Sequence, residues 1–584
     1  MLMVNNGGIK AEKYLTWICG FLLFVLCPFI CPQLGEQHDS YIQLCLFTFI
    51  VYGYIAFQII CIRNNTTVRL ADLFFFLGCC LYWVHSRWIV PVVPTMWGWL
   101  RFLDSIGLYM FVRLQTPERA KEIFGLFVVS GCVQSLYAMA QKIHLFPSLN
   151  SSFDMTGSFL NPAPLAGYLT VVVCVLVARF IFIPSLPAER IKWILSISLM
   201  AIVIFLLNSR AAYWSCLVVM GILLYKQKCC RTRSSYIVFG FILFVIFIFS
   251  SLFFLYQYRT VSANGRLFIW ENTIRMIKEH PLTGVGIGNF KSVFPEYQAI
   301  YYQCLSDIPE KYYDGNAFFA FNEFLELYAE MGICFPFLIL LFLGAWYKSR
   351  LFTTCHIYLY GIGGLLVFSC FSYPFSVFTL FVLFIYLVAS LGYYTSNVYC
   401  LKHFHLIKLS LTILILFVLI FSLNGLNAAI RWGIMRNEQK FPHEIDFYSK
   451  YHLFFQNNIS FTLHYYNATR ENRSASVGLH VLNTAIQRIP LSGWYLLRGS
   501  HYQEMKLWDK AEQDFKFLLY LIPTQPEPVY KLAQLYVLTH REKDAVLLLE
   551  RAFSFNQFQI NLTNKMILFD MKKLYYELNE KMDN

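Results

Sequence analysis

Residues 163–183 read APLAGYLTVVVCVLVARFIFI, an apolar run long enough to cross a bilayer as a helix. Runs of about 18 or more apolar residues recur through the first three-quarters of the chain. In lipid such a run becomes a helix, because each backbone N–H and C=O is then satisfied within the segment. Composition points the same way. Of 584 residues, 57% are hydrophobic and 14% charged. A soluble domain carries roughly 25% charged residues. The expectation is an all-α, polytopic transmembrane helix bundle.

With a window of about 19 residues, about twelve or thirteen spans are expected. They begin near Leu15, Tyr41, Asp72, Trp97, Glu122, Ala163, Ile191, Arg210, Tyr236, Glu323, His356, Phe375 and Leu406. The third and fourth are short, and the fourth carries Arg101 and Asp104. Leu15–Ile30 follows Lys10 and Lys13 but lacks a small-residue cleavage site, so it reads as a retained first helix.

The net charge is +13, yet the cations fall in short clusters between apolar runs, with no basic stripe interleaved with stacking aromatics. Nucleic-acid binding is therefore not expected. Arg63 and Arg69, then Arg113, Arg119 and Lys121, then Arg190 and Lys192 fall in alternate connections. Lys226, Lys228, Arg231 and Arg233, then Lys348 and Arg350, then Lys402 continue the series. By the positive-inside rule these lie in the cytoplasm, and residues 141–161 and 257–322 lie outside, as does everything after about Gly425. That places the soluble end on the outer side of the membrane.

Most of the 17 cysteines, such as Cys19, Cys27, Cys132 and Cys174, fall in apolar segments and read as small packing residues. Cys79–Cys80 and Cys229–Cys230 lack zinc-site spacing, so no metal and no cofactor are expected. The expected domains are 1–424, a membrane domain with an external loop at 257–322, and 425–584, a soluble helical domain. Near the end, at about 492–558, the chain repeats at about 34 residues, the tetratricopeptide spacing. Gly499 aligns with Ala533, Tyr502 with Tyr536, Ala511 with Ala545, Phe515 with Leu549 and Leu518 with Ala552; Pro523 ends the first unit. Val477–Ile489 reads as a degenerate preceding unit. Repeats report architecture rather than ligand, so a docking surface for protein or glycan and a stabilising cap both remain open.

Four polar segments stand out against this background. They are Thr156–Pro162 (TGSFLNP), Asn208–Ala212 (NSRAA), the stretch from Gly265–Trp270 (GRLFIW) to His280–Phe290 (HPLTGVGIGNF), and Phe321–Leu325 (FNEFL). Arginine suits an anionic group such as a phosphate, because its planar fork gives bidentate, permanently charged contacts. Arg210 also has the bland reading of snorkelling at a helix end, and Arg266 that of capping loop structure. Asn161, before Pro162, either hydrogen-bonds a sugar or fixes its own turn. No strand–turn–helix unit surrounds Gly284, Gly286 and Gly288, so they read as a sharp bend over Trp270 and Phe290 rather than a nucleotide loop. His280 reads as a helix C-terminal residue before the Pro281 stop.

In order and spacing these segments, over about Leu149–Gly332, resemble the O-antigen ligase and polymerase family. The resemblance implies transfer of a glycan from a polyprenyl diphosphate carrier to a glycan, lipid or protein acceptor hydroxyl. It assigns Arg210 and Arg266 to the diphosphate and aligns Asn322 with a family position. Where the family often has a catalytic histidine this chain has Phe321, so either the activity is lost or another group takes the proton. Glu323, and after it Asp314, are the candidates, with Glu326 on the same helical face as Glu323. A protein O-oligosaccharyltransferase shares these motifs. A flippase for the same carrier would carry charges at midplane depth, which the later spans lack. A membrane-anchored scaffold would leave the arginine motifs unexplained.

Overall fold

The computed structural model describes residues 3–29, 41–61, 66–90, 95–229, 260–304, 316–348, 356–395, 397–401, 405–437, 445–471, 475–555 and 558–583. The helices are α1 (Met3–Phe21), α2 (Tyr41–Cys61), α3 (Leu70–Val84), α4 (Met96–Arg113), α5 (Pro117–Lys142), α6 (Pro162–Phe182), α7 (Pro187–Leu206) and α8 (Arg210–Cys229). They continue as α9 (Thr260–Glu279), α10 (Phe290–Gln303), α11 (Glu323–Met331), α12 (Cys334–Lys348), α13 (Ile357–Ser369), α14 (Phe378–Gly392) and α15 (His405–Asn437). Among the described residues the fold is all-α apart from one two-stranded antiparallel ribbon, β1 (Thr66–Arg69) with β2 (Asn397–Leu401), in which Thr66 faces Leu401. Four- and five-residue strands leave no readable alternation among apolar runs, which is why the sequence did not announce them.

Among the described residues, five helical stretches are long and apolar enough to cross a membrane: Glu12–Phe29, Tyr41–Ile59, Pro117–Lys142, Pro162–Phe182 and Leu411–Arg436. Shorter apolar helices span Cys334–Gly344, Ile357–Ser369 and Phe378–Gly392. The span expected near Tyr236 lies outside the described residues. The one expected from Glu323 is two helices, because Gly332 takes φ +55 and breaks the run between α11 and α12. In the bundle α15 packs along α2, α6 along α13, and α4 against both α2 and α14. A buried ion pair fixes α3 to α4. Arg113 grips Asp72 with two nitrogens at 2.7 and 3.0 Å, and Tyr109 donates to the same carboxylate at 2.8 Å.

α15 runs unbroken through residue 424, so one rigid helix carries the chain out of the bundle. It is followed by α16 (Ile445–Tyr451), α17 (Ile459–Glu471) and α18 (Ala475–Arg488). Two helical hairpins come next: α19 (Ser492–Glu504) with α20 (Trp508–Leu521), and α21 (Glu527–Leu538) with α22 (Glu542–Ser554); α23 (Leu562–Asp583) follows. Small residues allow close approach within them. A Cβ on Gly499 would meet the Phe515 ring at 2.6 Å, and Ala533 and Ala545 are fully buried beside Leu549. This region does not hang free of the rest. α10 packs on α20 and α18, and the buried Gln298 amide donates to Leu521 O at 2.9 Å.

Candidate functional site

The glycine-rich stretch after α9 builds one wall of the site. His280 closes α9 by donating its N–H to Met276 O at 3.0 Å, and Pro281 prevents continuation. The chain then lies backbone to backbone against the end of α11: Val285 N–H donates to Ala329 O, Gly286 N–H to Glu330 O, and Ile333 N–H to Leu282 O, at 2.9–3.1 Å. Only glycine permits this contact. Gly284 has φ +67, and a Cβ there would stand 2.3 Å from Glu330 O; one on Gly332 would stand 2.4 Å from Leu282 O. The run is therefore a clamp on α11. Phe290 packs beneath it in a small apolar core with Phe268 and Phe294, and Trp270 ties the loop to Ala320 O at 2.8 Å.

The clamp orients a face of three carboxylates. Glu323, Glu326 and Glu330 follow one another at helical spacing, so they share one side of α11. All three are buried, and each accepts a backbone N–H: Glu323 from Phe375 at 2.7 Å, Glu326 from Ala320 at 2.8 Å, and Glu330 from Phe290 at 3.1 Å. Burial pushes Glu323 up to about 8, helped by nearby Glu330 and opposed by the Phe375 amide and Arg101. Burial likewise lifts Glu330 to about 7, against the Gly288 and Phe290 amides and Lys291. Glu326 is raised by burial and then by both neighbouring carboxylates. Three acids crowded in a dry place cannot all ionise at neutral pH, so the face holds protons near the pH at which it works.

All three carboxylates line one cavity of about 1680 Å³. Part of its wall is apolar, with Phe75, Phe102, Phe335, Leu338 and Phe384 from α3, α4, α12 and α14. Elsewhere it is polar, with Asn150, Asn161 and Lys291. Arg101, which donates to Phe375 O and lies 5.1 Å over the Phe381 ring, is also in the lining.

The two candidate arginines lie outside that lining, and the Arg210 charge acts on Arg266. Arg210 opens α8 two residues after Asn208, which takes φ +51. Arg266, early in α9, donates to Phe371 O at 2.9 Å and lies 5.1 Å over the Phe321 ring. Burial and then the Arg210 charge lower the Arg266 guanidinium to about 10. The segment from Phe371 to Phe375 joins this pair to the carboxylates. Phe371 O takes Arg266; the Tyr373 ring stacks on Phe319 at 4.3 Å and meets Phe321 edge-on at 5.5 Å; Phe375 N–H holds Glu323.

Asn161 and Asn322 are both helix N-caps. The Asn161 oxygen accepts Ala163 N–H at 2.9 Å, and the Asn322 oxygen accepts Phe324 and Leu325 N–H at 3.0 and 3.1 Å. Of the two, only Asn161 lines the cavity. Asp314 lies outside the described residues.

Residues 195–335 match the family model of O-antigen ligase. Over that segment the chain is similar to O-antigen ligases. The match takes in Arg210, Arg266, the glycine clamp and the carboxylate face, and it ends as α12 begins. No curated protein matches the chain.

Sequence reasoning about this segment reached Glu323 and Glu326 but missed Glu330 and Lys291. The seven-residue step from Glu323 to Glu330 was a usable signal, since it returns to the same helical face. Arg101 was visible as a charge in an apolar span. Arg436, His464 and Arg488, which also line the cavity, come from more than a hundred residues further along, and no local pattern ties them to it.

Proposed function

We propose that this chain is a multi-pass enzyme of a bacterial inner membrane that moves a glycan from a polyprenyl diphosphate to an acceptor hydroxyl on the periplasmic side. The observation that carries the reading is one cavity with both an apolar wall and a face of proton-holding carboxylates, next to a pair of arginines. The apolar wall suits the prenyl chain nearest the diphosphate. Arg210 and Arg266 repel each other in a half-buried setting, and a diphosphate placed against them relieves that repulsion. In the reaction the acceptor oxygen bonds to the anomeric carbon, and the carbon–oxygen bond to the diphosphate breaks. The hydroxyl proton passes to ionised Glu323, and the electron pair leaves with the carrier diphosphate, whose charge the arginines hold.

Phe321 occupies the position where a histidine base was expected, and its ring supports Arg266 instead. On this reading the proton passes to Glu323, two residues on. The test is glycan profiling in a deletion host complemented with Arg210→Ala, Arg266→Ala or Glu323→Gln at normal protein levels. Loss of transferred glycan with accumulation of its lipid-linked precursor is expected. Unchanged product in both arginine variants would sink the reading.

A further inference from the structure

The helix that supplies Glu330 with its backbone partner is held from the other side by the C-terminal region. α10 begins at Phe290, whose N–H is one of the orphan donors of a helix start, and the Glu330 carboxylate takes it at 3.1 Å. The partial positive charge at that helix end favours a carboxylate in its ionised form. Eight residues on, about 12 Å along the helix axis, the buried Gln298 amide donates to Leu521 O at 2.9 Å. Leu521 is the last residue of α20, so its carbonyl is an orphan of a helix end. α10 therefore joins the end of α20 to the carboxylate face.

α10 would not keep that geometry by itself. It has 14 residues, with Pro295 inside it. A helix of that length is marginal on its own, and an interior proline removes a hydrogen bond and crowds the preceding turn. What fixes α10 is the burial of Phe290, Phe294, Gln298 and Tyr302, a stripe at four-residue spacing. The three aromatics pack with Phe268 in the small core of the loop, and Gln298 binds the end of α20. α10 packs on α20 more extensively than on α9 or α11, so the C-terminal region is its principal support.

We propose that the α19–α20 hairpin is a positioning element of the transfer site: acting through Gln298 and α10, it holds the Phe290 amide against Glu330. The C-terminal region then has a part in the reaction beyond that of a cap or a docking surface. This inference rests on the transferase reading above, and its test keeps the two separate. Around Glu330 stand Glu323 and Glu326 of α11, Lys291 of α10 and Tyr82 of α3, while Arg101 of α4 acts on Glu323. The Phe290 amide favours the charged form of Glu330, and that charge favours the protonated form of Glu323. If α10 slips, Glu330 keeps its proton, and Glu323 gives up its own at lower pH.

Full-length protein is assayed in membrane vesicles loaded with the host's lipid-linked donor, as wild type, Gln298→Met, Gly499→Ala and Arg266→Ala. Gln298→Met keeps the length of the side chain and leaves Leu521 O unpaired. Gly499→Ala disturbs the contact from inside the hairpin, where a Cβ would stand 2.6 Å from the Phe515 ring. In both, the plateau of transfer should fall about tenfold from misplaced groups. The donor KM should be unchanged, and the rise of transfer with pH should move to lower pH. A lower plateau with that rise unmoved is a merely structural loss and overturns the proposal. Where Gln298→Met does not reach the membrane at normal levels, the pH profile of Gly499→Ala decides alone. Wild-type transfer by Gln298→Met and Gly499→Ala, with Arg266→Ala inactive, overturns the positioning role and leaves the transferase reading intact. Undiminished transfer by Arg266→Ala overturns the reading beneath it.

Discussion

The arginine pair and the carboxylate face apply the same physics with opposite signs. At each, like charges are brought together in a poorly hydrated place, and each group is pushed towards its neutral form. The outcomes differ because the starting points differ. Arg266, lowered to about 10, is still a cation at neutral pH, and an anion beside it would favour its charged form. Glu323, raised to about 8, relieves it by holding a proton that it can give up and take back. On the proposed reading, one end of Phe371–Phe375 holds charge and the other moves a proton. That division of labour is what mutations can break.

The largest effect is expected at the proton-moving end. Glu323→Gln keeps the shape and removes the base, so transfer should fall by about a hundredfold to ten thousandfold. Wild-type transfer in membrane vesicles should rise with pH up to about 8, as Glu323 ionises, and then level off. A rate that falls over that range would assign Glu323 to proton donation instead. At the charge-holding end, Arg266→Ala should cost about a hundredfold to a thousandfold, with no change in the shape of the pH profile. If removing the arginine moved the pH limb, the two ends would not be separable.

The comparison also reaches stability. The carboxyl of Glu323 is raised from an ordinary 4.5 to about 8 in the folded protein, so folding favours its protonated form. The stability it contributes is complete below about pH 4.5 and is lost as the pH climbs through about 8. Thermal unfolding in detergent should therefore show a midpoint that falls from pH 5 to pH 8, and falls less in Glu323→Gln. The residual slope belongs to Glu326 and Glu330, which are raised for the same reason. An identical slope in the variant would mean that Glu323 is already ionised in the native state.

The two ends were not equally legible in the sequence. Arg210 and Arg266 lie in short polar motifs against an apolar background, so pattern alone isolates them, as it does the apolar helices of the bundle. The carboxylate face was half visible: Glu323 and Glu326 follow from helical spacing, but nothing in the residues says that three acids are buried together. That depends on the Gly284–Gly332 clamp and on Phe375 arriving from across the chain. The break at Gly332, which turns one expected span into two helices, depends on the same backbone pairing. The cavity wall made by Arg436 and Arg488 is a product of domain packing, and periodicity carries no trace of it.

Phe321 gives the smallest expected effect and tests the comparison most finely, because it stands between the ends. Its ring lies under Arg266 and edge-on to Tyr373, and its backbone, at φ +54, leads through Asn322 to Glu323. Phe321→Leu keeps bulk and loses the ring face, worth about 0.5–1 kcal/mol to a neighbouring cation, so transfer should fall only about threefold. The loss should come with weaker donor binding and an unchanged pH limb, because Phe321 supports the charge-holding end. Phe321→His restores an ionisable ring at that position and tolerates a positive φ. It should keep the Glu323-dependent rise and add no new limb near 6.5, because an imidazole packed under a guanidinium is held neutral. A histidine variant that made Glu323 dispensable would instead show that either position can accept the proton.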